Sequence, residues 1–282
     1  MIYSYEYIVR GGTAVITADL HIHSAASEDS ETPLSVILDT AVSRGLQTVA
    51  VTDHVELVNY RGGAYDTAAV ESRRMMAEAT VPKGLRLLRG IELGEPCANE
   101  ALAASILEEG AYDFVLASQH RLSEEVEDYY FIDYSGWSDQ AVIAEMERYF
   151  TEVLKVVRWN GFDSLAHLTY PFRYLPPKWR EGDYRPWQSL IDDILGTLAE
   201  NGKALEINTS GIRKGLGQTS PDEPLVQRFV SLGGSLITVG SDAHRPTAIG
   251  ADLDAAESML RRAGIGYVTA FAHRQPFRLS LD

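Results

Sequence analysis

The sequence predicts an α/β fold with a mainly parallel sheet, and two observations along the chain support this prediction. First, seven short apolar runs alternate with seven longer helical patterns, which is typical of repeated strand–helix units. The predicted strands are Ala14–His21, Gln47–Thr52, Arg86–Glu92, Tyr112–Ser118, Phe162–Leu168, Lys203–Asn208 and Gly234–Gly240. Second, a glycine follows five of the predicted helices, as helix ends commonly require.

The predicted helices connect these strands in order along the chain. They are Pro33–Arg44, Thr67–Ala79, Asn99–Glu108, Ser138–Trp159, Trp187–Asn201, Pro221–Leu232 and Thr247–Ala263. Closed into a barrel, such a sheet places the C-terminal end of every strand on one rim. An open, doubly wound sheet is the alternative, because the pattern fits both arrangements. The tail, Tyr267–Leu281, is predicted to be an extended C-terminal segment that packs on the barrel as an extra strand.

Length and composition suit one domain that covers residues 1–282. The chain has 282 residues, 45% of them hydrophobic, and single α/β barrels often have this size. No apolar run approaches the roughly 18 residues that cross a bilayer, and polar residues interrupt Met1–Gly12, which therefore lacks a secretory signal core. The single cysteine, Cys97, excludes an internal disulfide and a thiolate metal site. We therefore expect a cytoplasmic protein that spans no membrane.

The charge of the chain restricts its partners. The formal net charge is −15, and no block rich in lysine or arginine is present, whereas a general nucleic-acid binder usually has a basic face. A long nucleic acid is therefore not expected as a partner. A small anionic substrate remains compatible with this charge, because bound cations reverse the local sign inside an acidic protein. No feature of the sequence defines an oligomeric state.

Six of the seven histidines lie at or just beyond the C-terminal ends of predicted strands. They are His21, His23, His54, His120, His167 and His244, whereas His273 lies in the tail and is interpreted as structural or solvent-exposed. In a barrel these six positions converge on one mouth. Histidines scattered over a surface would not follow strand ends in this way, so we expect a single site.

Two of these groups have the spacing of ligands on a strand. His21 and His23 are two residues apart and point to the same side of a strand, so both can bind one ion. Asp19 shares their parity and is a candidate acceptor that would orient a ring. Asp242 and His244 are likewise two apart and follow a buried strand. The alternative for each group is a set of half-buried polar residues at the end of a strand.

Carboxylates accompany the histidines at several strand ends. Asp29 lies in the loop after the first strand, Asp53 precedes His54, and Glu92 ends the third strand. A helix cap or an ordinary loop residue is the alternative for each of them. Glu206 and Asn208 share one strand parity and are candidates for contacts to a ligand or to the substrate.

The residue types favour hydrolysis that depends on metal ions. Histidine nitrogens and carboxylate oxygens suit Zn, Fe or Mn, and there are too many candidates for one ion. They fit two or three divalent ions with a bridging carboxylate. Two cations about 3.5–4 Å apart can share a water molecule and lower its pKa, so a bridging hydroxide is the expected nucleophile. The sequence offers no obvious Ser/His/Asp arrangement and no Gly-X-X-X-X-Gly-Lys-Ser/Thr loop.

Taken in order, these motifs resemble the polymerase and histidinol phosphatase (PHP) family. The matching segments are Asp-Leu-His-Ile-His-Ser, Thr-Asp-His, Gly-Ile-Glu, Ser-Gln-His, Leu-Ala-His, Glu-Ile-Asn-Thr-Ser-Gly and Gly-Ser-Asp-Ala-His. The resemblance extends from about Thr17 to Gly250 and implies a distorted (βα)7 barrel with a trinuclear metal site.

The resemblance also implies three overlapping sets of ligands. The first set is His21, His23, Glu92 and Asp242; the second is Glu92, His120 and His167; the third is Asp29, His54 and His244. Glu92 would bridge the first two ions. We predict Glu92, Asp242 and His244 to be the catalytic groups among them.

Within the family, the chain is most similar to the histidinol-phosphate phosphatases, which implies L-histidinol phosphate as the substrate. The similarity is carried by His167–Tyr174 and by Glu206–Lys214, and the first segment assigns the substrate phosphate to Arg173, whose planar donors suit phosphate oxygens. Arg213 and Lys214 are weaker candidates. Three positions, Gln119, Ala166 and Thr169, depart from the common family pattern, but none is a predicted ligand.

Other functions remain as alternatives at this stage. One is a PHP phosphoesterase that acts on nucleotides or short oligonucleotides, and another is a non-catalytic metal-binding PHP module. A metal-dependent deaminase or amidase is disfavoured by the order of the motifs. Residues 123–133 are acidic and aromatic and are interpreted as a solvated loop, with a wall of the substrate site as the alternative.

Overall fold

The computed structural model describes residues 16–58, 64–122 and 127–282, so the predicted features of Met1–Gly12 lie outside the described residues. The strands are β1 (Ala18–Ile22), β2 (Thr48–Val51), β3 (His54–Glu56), β4 (Arg86–Gly94), β5 (Phe114–Ser118), β6 (Ser164–Leu165), β7 (Ala204–Asn208), β8 (Ile237–Gly240), β9 (Tyr267–Ala272) and β10 (Gln275–Ser280). The helices are α1 (Leu34–Ser43), α2 (Ala64–Glu78), α3 (Glu100–Gly110), α4 (Asp139–Trp159), α5 (Gln188–Glu200), α6 (Ser210–Arg213), α7 (Glu223–Ser231) and α8 (Leu253–Arg262).

Seven parallel strands form a nearly closed barrel. They are hydrogen-bonded in the order β1-β2-β4-β5-β6-β7-β8. The ends of the sheet meet just beyond β8, where the amide of His23 donates to the carbonyl of Ala243 at 2.9 Å and Ile22 pairs with Ala243 in parallel. The predicted distorted barrel of seven strand–helix units is therefore confirmed, and the open-sheet alternative is wrong.

The strand β3 continues β2 after a break at Thr52 and Asp53. The first half of β4 pairs with β2, and its second half pairs with β3 in a register that sets His54 opposite Glu92. On its other side, the second half of β4 pairs with β5. The C-terminal half of β4 thus lies between two strands that both reach the mouth of the barrel.

Each of the seven predicted helices has a counterpart near its predicted position, whereas the short helix α6 was not predicted, and local caps account for several boundaries. The side chain of Asn99 accepts the amide of Leu102 at the start of α3, and that of Ser138 accepts the amide of Ala141 at the start of α4. The largest difference is at α8, which begins at Leu253 because a 3-10 turn at Pro246–Ala248 precedes it. Within the described residues, no helix has both the length and the apolar character needed to cross a membrane.

The C-terminal segment pairs with itself. Strands β9 and β10 form an antiparallel hairpin in a separate two-stranded sheet, so the prediction of an extra strand added to the barrel is wrong. The hairpin packs against the starts of the barrel strands, where Phe271 stacks on Phe114 with ring centroids 5.4 Å apart. Arg274 Nε lies 2.5 Å from Asp163 Oδ2. The hairpin therefore covers the end of the barrel opposite the mouth.

Candidate metal centre

The strands bring all nine predicted ligands together at the mouth of the barrel. His21 lies in β1 and His23 just after it, His54 begins β3, Glu92 lies in β4, His120 follows β5, and His167 follows β6. Asp242 and His244 follow β8, and Asp29 lies in the loop after β1. Above them is a cavity of about 600 Å³, which seven of the nine ligands, all except His21 and His23, line together with Arg173, Tyr130 and Phe131.

Glu92 lies at the centre of this cluster and is fully buried. Its Oε2 is 3.0 Å from His21 Nε2 and 3.4 Å from His23 Nε2. Its Oε1 is 2.9 Å from His167 Nε2 and 3.2 Å from His120 Nε2. His54 Nδ1 also lies 3.2 Å from Oε2. The two oxygens therefore face two different sets of imidazoles, which is the arrangement that a carboxylate bridging two cations requires.

The spacing within each pair of histidines fits a shared cation. His21 Nε2 and His23 Nε2 are 3.1 Å apart, and His120 Nε2 and His167 Nε2 are 3.3 Å apart. Two imidazole nitrogens bound tetrahedrally at the usual zinc–nitrogen distance of about 2.0–2.1 Å lie about 3.3 Å from each other. The ligand atoms of His21, His23 and Asp242 also form one compact group, and those of His21, Glu92 and His167 form another.

A third group lies closer to solvent. Asp29 Oδ2 is 2.8 Å from His244 Nε2 and 3.7 Å from His54 Nε2, and His23, His54 and His244 also present ligand atoms to one another. The side chain of Asp29 is 50% exposed, unlike the other ligands. This outer group is therefore the part of the centre that is most open to the cavity.

Carboxylates and hydroxyls contact the Nδ1 atoms of histidine rings whose Nε2 atoms point into the cluster. His21 Nδ1 lies 2.7 Å from Glu206 Oε1, which leaves Nε2 directed at Glu92. The same Glu206 accepts the backbone amide of His167 at 2.8 Å. His23 Nδ1 lies 3.2 Å from Ser27 Oγ. Such contacts fix the ring orientation and the tautomer of a metal-binding histidine.

Asp19 does not orient a ring, contrary to the prediction. It is fully buried, and its carboxylate accepts the backbone amides of Ser241 at 2.8 Å and Gly250 at 2.7 Å. Asp19 thereby holds the segment that carries Asp242 and His244. The Asp19 carboxylate is instead occupied by donors from Ser241 and Gly250 in the loop after β8.

Asp53 has the corresponding role for the loop after β1. It accepts the amide and the hydroxyl of Ser24 at 2.6 and 2.8 Å, and the hydroxyls of Ser27 at 2.9 Å and Ser72 at 2.5 Å. Because Ser27 in turn contacts the ring of His23, Asp53 positions a candidate ligand through an intermediate residue.

The cluster shifts the pKa values of His21 and His23 in opposite directions. Burial would lower the pKa of His21, but the carboxylates of Glu206 and Glu92 outweigh it and raise this pKa well above its usual value. Burial, followed by the nearby His244, lowers the pKa of His23 well below its usual value. Burial opposes ionisation of Glu92, yet the surrounding histidines, His21 foremost, hold its pKa well below its usual range. An ionised Glu92 among imidazoles is suited to binding cations.

Two of the candidate ligands have a left-handed backbone conformation. The φ angle is +24° at His167 and +52° at Asp242. This region is uncommon for residues other than glycine, and such strain tends to occur at functional sites. Each of them lies two positions after the last residue of a barrel strand, β6 for His167 and β8 for Asp242, at the mouth of the barrel.

Arg173 lies in the cavity wall, whereas the two weaker candidates for binding phosphate, Arg213 and Lys214, make different contacts. Arg173 is only 4% exposed, and its Nε and Nη2 have no hydrogen-bond partner in the described part of the chain. Arg213 bonds instead to Asp252 at 2.6 Å and to the Ser241 carbonyl at 2.6 Å, so its donors serve the fold. Lys214 Nζ lies 3.7 Å from Asp242 Oδ2 and faces the cavity.

Sequence reasoning missed a second layer of charged residues beside His120. Glu56 Oε1 lies 3.0 Å from His120 Nδ1, and His54, Glu56 and His120 form a further group of potential metal ligands. Glu95 accepts the amide of His120 at 2.8 Å, and burial together with the charge of Glu56 raises the pKa of Glu95 well above its usual value. Glu56 has the strand parity of His54, but no apolar run in the sequence marks this three-residue strand.

The acidic and aromatic segment contributes to the wall of the cavity. Tyr130 and Phe131 are 63% and 67% exposed at the rim, whereas Tyr129 is buried. Residues 123–126 of the predicted solvated loop lie outside the described residues.

His273 has an 84% exposed side chain, and its backbone amide donates to Asp113.

Comparison with known proteins supports the same family as the motifs. A family profile for the PHP domain matches residues 19–210. A protein named "Probable histidinol-phosphatase" from Thermotoga maritima is 29% identical over 252 residues, which cover 89% of this chain and 94% of the relative. A "Histidinol-phosphatase" from Lactococcus lactis is 26% identical over 268 residues, which cover 90% of this chain and 94% of the relative.

A solved structure has the same fold over nearly the whole chain. It is histidinol phosphate phosphatase from Lactococcus lactis, complexed with zinc, L-histidinol and phosphate. The TM-score is 0.73 at 23% sequence identity, with 92% of this chain and 98% of the other chain covered. Since the family profile spans well over half of the sequence, this chain belongs to the PHP domain family.

Proposed function

We propose that this protein is a metal-dependent phosphomonoester hydrolase and that L-histidinol phosphate is its substrate. The observation that carries the proposal is the position of Glu92, whose two carboxylate oxygens face separate sets of histidines. The names of the relatives from Thermotoga maritima and Lactococcus lactis support the substrate. A cytoplasmic location remains a prediction.

The residues that would hold two or three divalent ions are the nine predicted ligands. His21, His23, Glu92 and Asp242 would hold one ion, Glu92, His120 and His167 a second, and Asp29, His54 and His244 a third. When bound, such ions activate water as a nucleophile and neutralise charge on the phosphoryl group. Zinc is favoured by the nitrogen-rich ligands and by the zinc in the related structure, with Fe and Mn as the other metals that suit them.

The chain's own residues would bind the substrate and exclude water from part of the site. Arg173 offers two unpartnered donors to phosphoryl oxygens from one wall. Tyr170 and Tyr174 flank it and limit the solvent that reaches it, since Arg173 Cζ lies 4.7 and 5.8 Å from their ring centroids. The catalytic assignments of Glu92, Asp242 and His244 rest on their place in the cluster that faces the cavity.

Steady-state hydrolysis of L-histidinol phosphate tests the proposal, alongside a panel of other phosphomonoesters and short oligonucleotides. We expect the highest kcat/KM for histidinol phosphate, loss of turnover after exhaustive chelation, and recovery when Zn²⁺ or Mn²⁺ is added back. Negligible turnover of histidinol phosphate beside strong hydrolysis of another ester would reject the substrate. Undiminished turnover in the chelated protein would reject the metal-dependent mechanism.

A further inference from the structure

Glu56 contacts the rings of two candidate ligands that belong to different predicted ion sites. Its Oε1 is 3.0 Å from His120 Nδ1 and 3.2 Å from His54 Nδ1. We propose that Glu56 is a positioning residue that holds the ring of His120 by a hydrogen bond and contacts the ring of His54, and so couples the second and third ion sites. This inference rests on the proposed metal-dependent function, because it assigns Glu56 a role toward the bound ions.

The contact determines which nitrogen each ring offers. An ionised carboxylate only accepts hydrogen bonds, so an Nδ1 that faces it carries the hydrogen and the lone pair resides on Nε2. His120 Nε2 lies 3.2 Å from Glu92 Oε1, within the second group of ligands. His54 Nε2 lies 3.7 Å from Asp29 Oδ2, within the third. The hydrogen bond from Glu56 Oε1 sets the tautomer of His120. His54 Nδ1 lies 3.2 Å from both Glu56 Oε1 and Glu92 Oε2 and makes no hydrogen bond in the described part of the chain, so Glu56 and Glu92 share the contact to that ring.

The Glu56 carboxylate occupies space that is free because Gly94 has no side chain. Strand pairing sets Glu56 opposite Gly94, and a Cβ atom at Gly94 would lie 2.6 Å from Glu56 Cδ and 2.8 Å from Oε1. Real Cβ atoms do not approach other atoms this closely, so any side chain at Gly94 would displace the carboxylate. This observation is independent of the histidine contacts, and it provides a variant that moves Glu56 without changing its chemistry.

The surroundings of Glu56 favour one orientation of its carboxylate. Arg121 Nη2 lies 3.6 Å from Glu56 Oε2, on the side away from the histidines. Glu95 accepts the backbone amides of His120 at 2.8 Å and Arg121 at 3.2 Å. The backbone of His120 is thus held by Glu95 and its ring by Glu56, and Glu56 itself is only 3% exposed.

The arrangement matches the one around Glu206 on the other side of the barrel. Glu206 Oε1 lies 2.7 Å from His21 Nδ1, while Oε2 accepts the backbone amide of His167 at 2.8 Å. Glu206 therefore supports one ligand in each of the first two groups, as Glu56 would support one in each of the last two. Partners of this kind typically contribute about 10- to 100-fold to metal affinity or activity.

Metal affinity in three variants tests the proposal. Glu56→Leu removes the acceptor, Glu56→Gln keeps one amide oxygen that can accept, and Gly94→Ala displaces the carboxylate. Glu71→Gln is the control, because Glu71 is an exposed carboxylate that pairs with Arg74 on α2. Zn²⁺ stoichiometry and dissociation constants would be measured by competition with a chromogenic chelator. Melting temperatures would be recorded with and without EDTA, since preferential binding to the folded state raises them.

We expect Zn²⁺ to bind about 10- to 100-fold more weakly at one or two positions in Glu56→Leu and Gly94→Ala. The loss should be smaller in Glu56→Gln and absent in Glu71→Gln, and excess Zn²⁺ should restore turnover in the Glu56 variants. The inference is overturned if wild-type affinity persists in Glu56→Leu and Gly94→Ala. It is equally overturned if these variants melt lower by the same amount with and without EDTA, because that result shows a purely structural role.

The wild-type protein separates failure of this inference from failure of the proposed function. If wild type takes up no Zn²⁺ and hydrolyses no phosphoester, the proposed function is wrong and the role of Glu56 falls with it. If wild type binds Zn²⁺ and is active while the Glu56 and Gly94 variants behave identically to it, only the role of Glu56 is wrong.

Discussion

The guanidinium of Arg173 lies over the ring of Tyr170, with Cζ 4.7 Å from the ring centroid. This contact stabilises a buried cation by about 0.5–2 kcal/mol, which is less than its desolvation costs. Within the described residues, Nε and Nη2 of Arg173 have no hydrogen-bond partner. A phosphate in the cavity would satisfy both donors, because its oxygens match the planar fork of a guanidinium.

We predict that Arg173→Ala raises KM for the phosphomonoester by about 10- to 100-fold, since a hydrogen bond to a charged group contributes about 1.5–3 kcal/mol. The effect on kcat should be smaller if the contact is equally strong in the ground and transition states. Arg173→Lys should recover little, because lysine lacks the planar fork. The inhibition constant of inorganic phosphate should rise in parallel with KM.

Arg185→Ala is the matched control for this measurement. The side chain of Arg185 is 88% exposed and pairs only with Asp183 among the described residues, so its removal should leave KM unchanged. Equal KM values for wild type and Arg173→Ala would contradict the assignment of the phosphate to Arg173.

We predict that Glu92→Gln removes at least one bound ion and lowers kcat by about 10²–10³-fold or more, the usual effect of removing one electrostatic group from an active site. The substitution keeps the size of the side chain but removes the charge that faces two pairs of histidines. Elemental analysis of the dialysed protein and steady-state kinetics would measure the two effects. Full metal content together with normal turnover in Glu92→Gln would show that this residue bridges no ions.

The positions of the ligands were largely predictable because they depend on topology. In a parallel barrel every strand ends on one rim, so residues as distant as His21 and His244 could be assigned to one site without coordinates. Side-chain alternation along β1 then set His21 and His23 on the same side. The structure places Nε2 of His21 and Nε2 of His23 3.0 and 3.4 Å from Glu92 Oε2, as that reasoning requires.

The supporting residues were less predictable because they depend on packing. Glu56 lies on a three-residue strand that begins after the break at Asp53, and no apolar run marks that strand. The hairpin of β9 and β10 turns at His273 and Arg274, both with positive φ, where the sequence offers no glycine to signal a turn. Non-glycine residues in such turns are uncommon, so the sequence favoured one continuous extended segment.

We predict that Gly240→Ala weakens metal binding although no ligand changes. A Cβ atom at Gly240 would lie 2.6 Å from Glu206 Oε1 and 3.2 Å from the backbone nitrogen of His21, so it would force apart the pair that orients this ring. Overpacking of this kind typically costs about 1–3 kcal/mol of stability. Urea unfolding of the chelated protein would give the change in stability, and Zn²⁺ competition would give the change in affinity.

Gly196→Ala is the control for Gly240→Ala. Gly196 lies within α5, and a Cβ atom there would meet nothing within 4 Å. Alanine in a helix is favoured over glycine by roughly 0.5–1 kcal/mol, so this variant should be more stable and should bind Zn²⁺ normally. Unchanged Zn²⁺ affinity in Gly240→Ala would show that the His21–Glu206 pair tolerates displacement.

Stability should depend on pH through Asp222, which caps the N-terminus of α7 by accepting the amide of Leu225. Burial raises the pKa of Asp222 to about 6, against 3.8 for the free side chain. The folded state therefore binds this proton more tightly than the unfolded state. The stabilisation is fully present below about pH 4 and is lost as the pH rises through about 6.

We predict that Asp222→Asn gains stability relative to wild type between pH 5 and pH 7.5, because asparagine caps a helix about as well as aspartate and never ionises. The shift of about two pKa units sets an upper limit of about 3 kcal/mol on the gain. Urea unfolding of chelated wild type and chelated Asp222→Asn at both pH values measures this gain. Subtracting the two unfolding free energies removes the contribution of the other titrating groups, which is the same in both proteins. If the difference in unfolding free energy between the two proteins stays constant with pH, the pKa of Asp222 is the same in the folded and unfolded states. Burial beside α7 would then not raise this pKa.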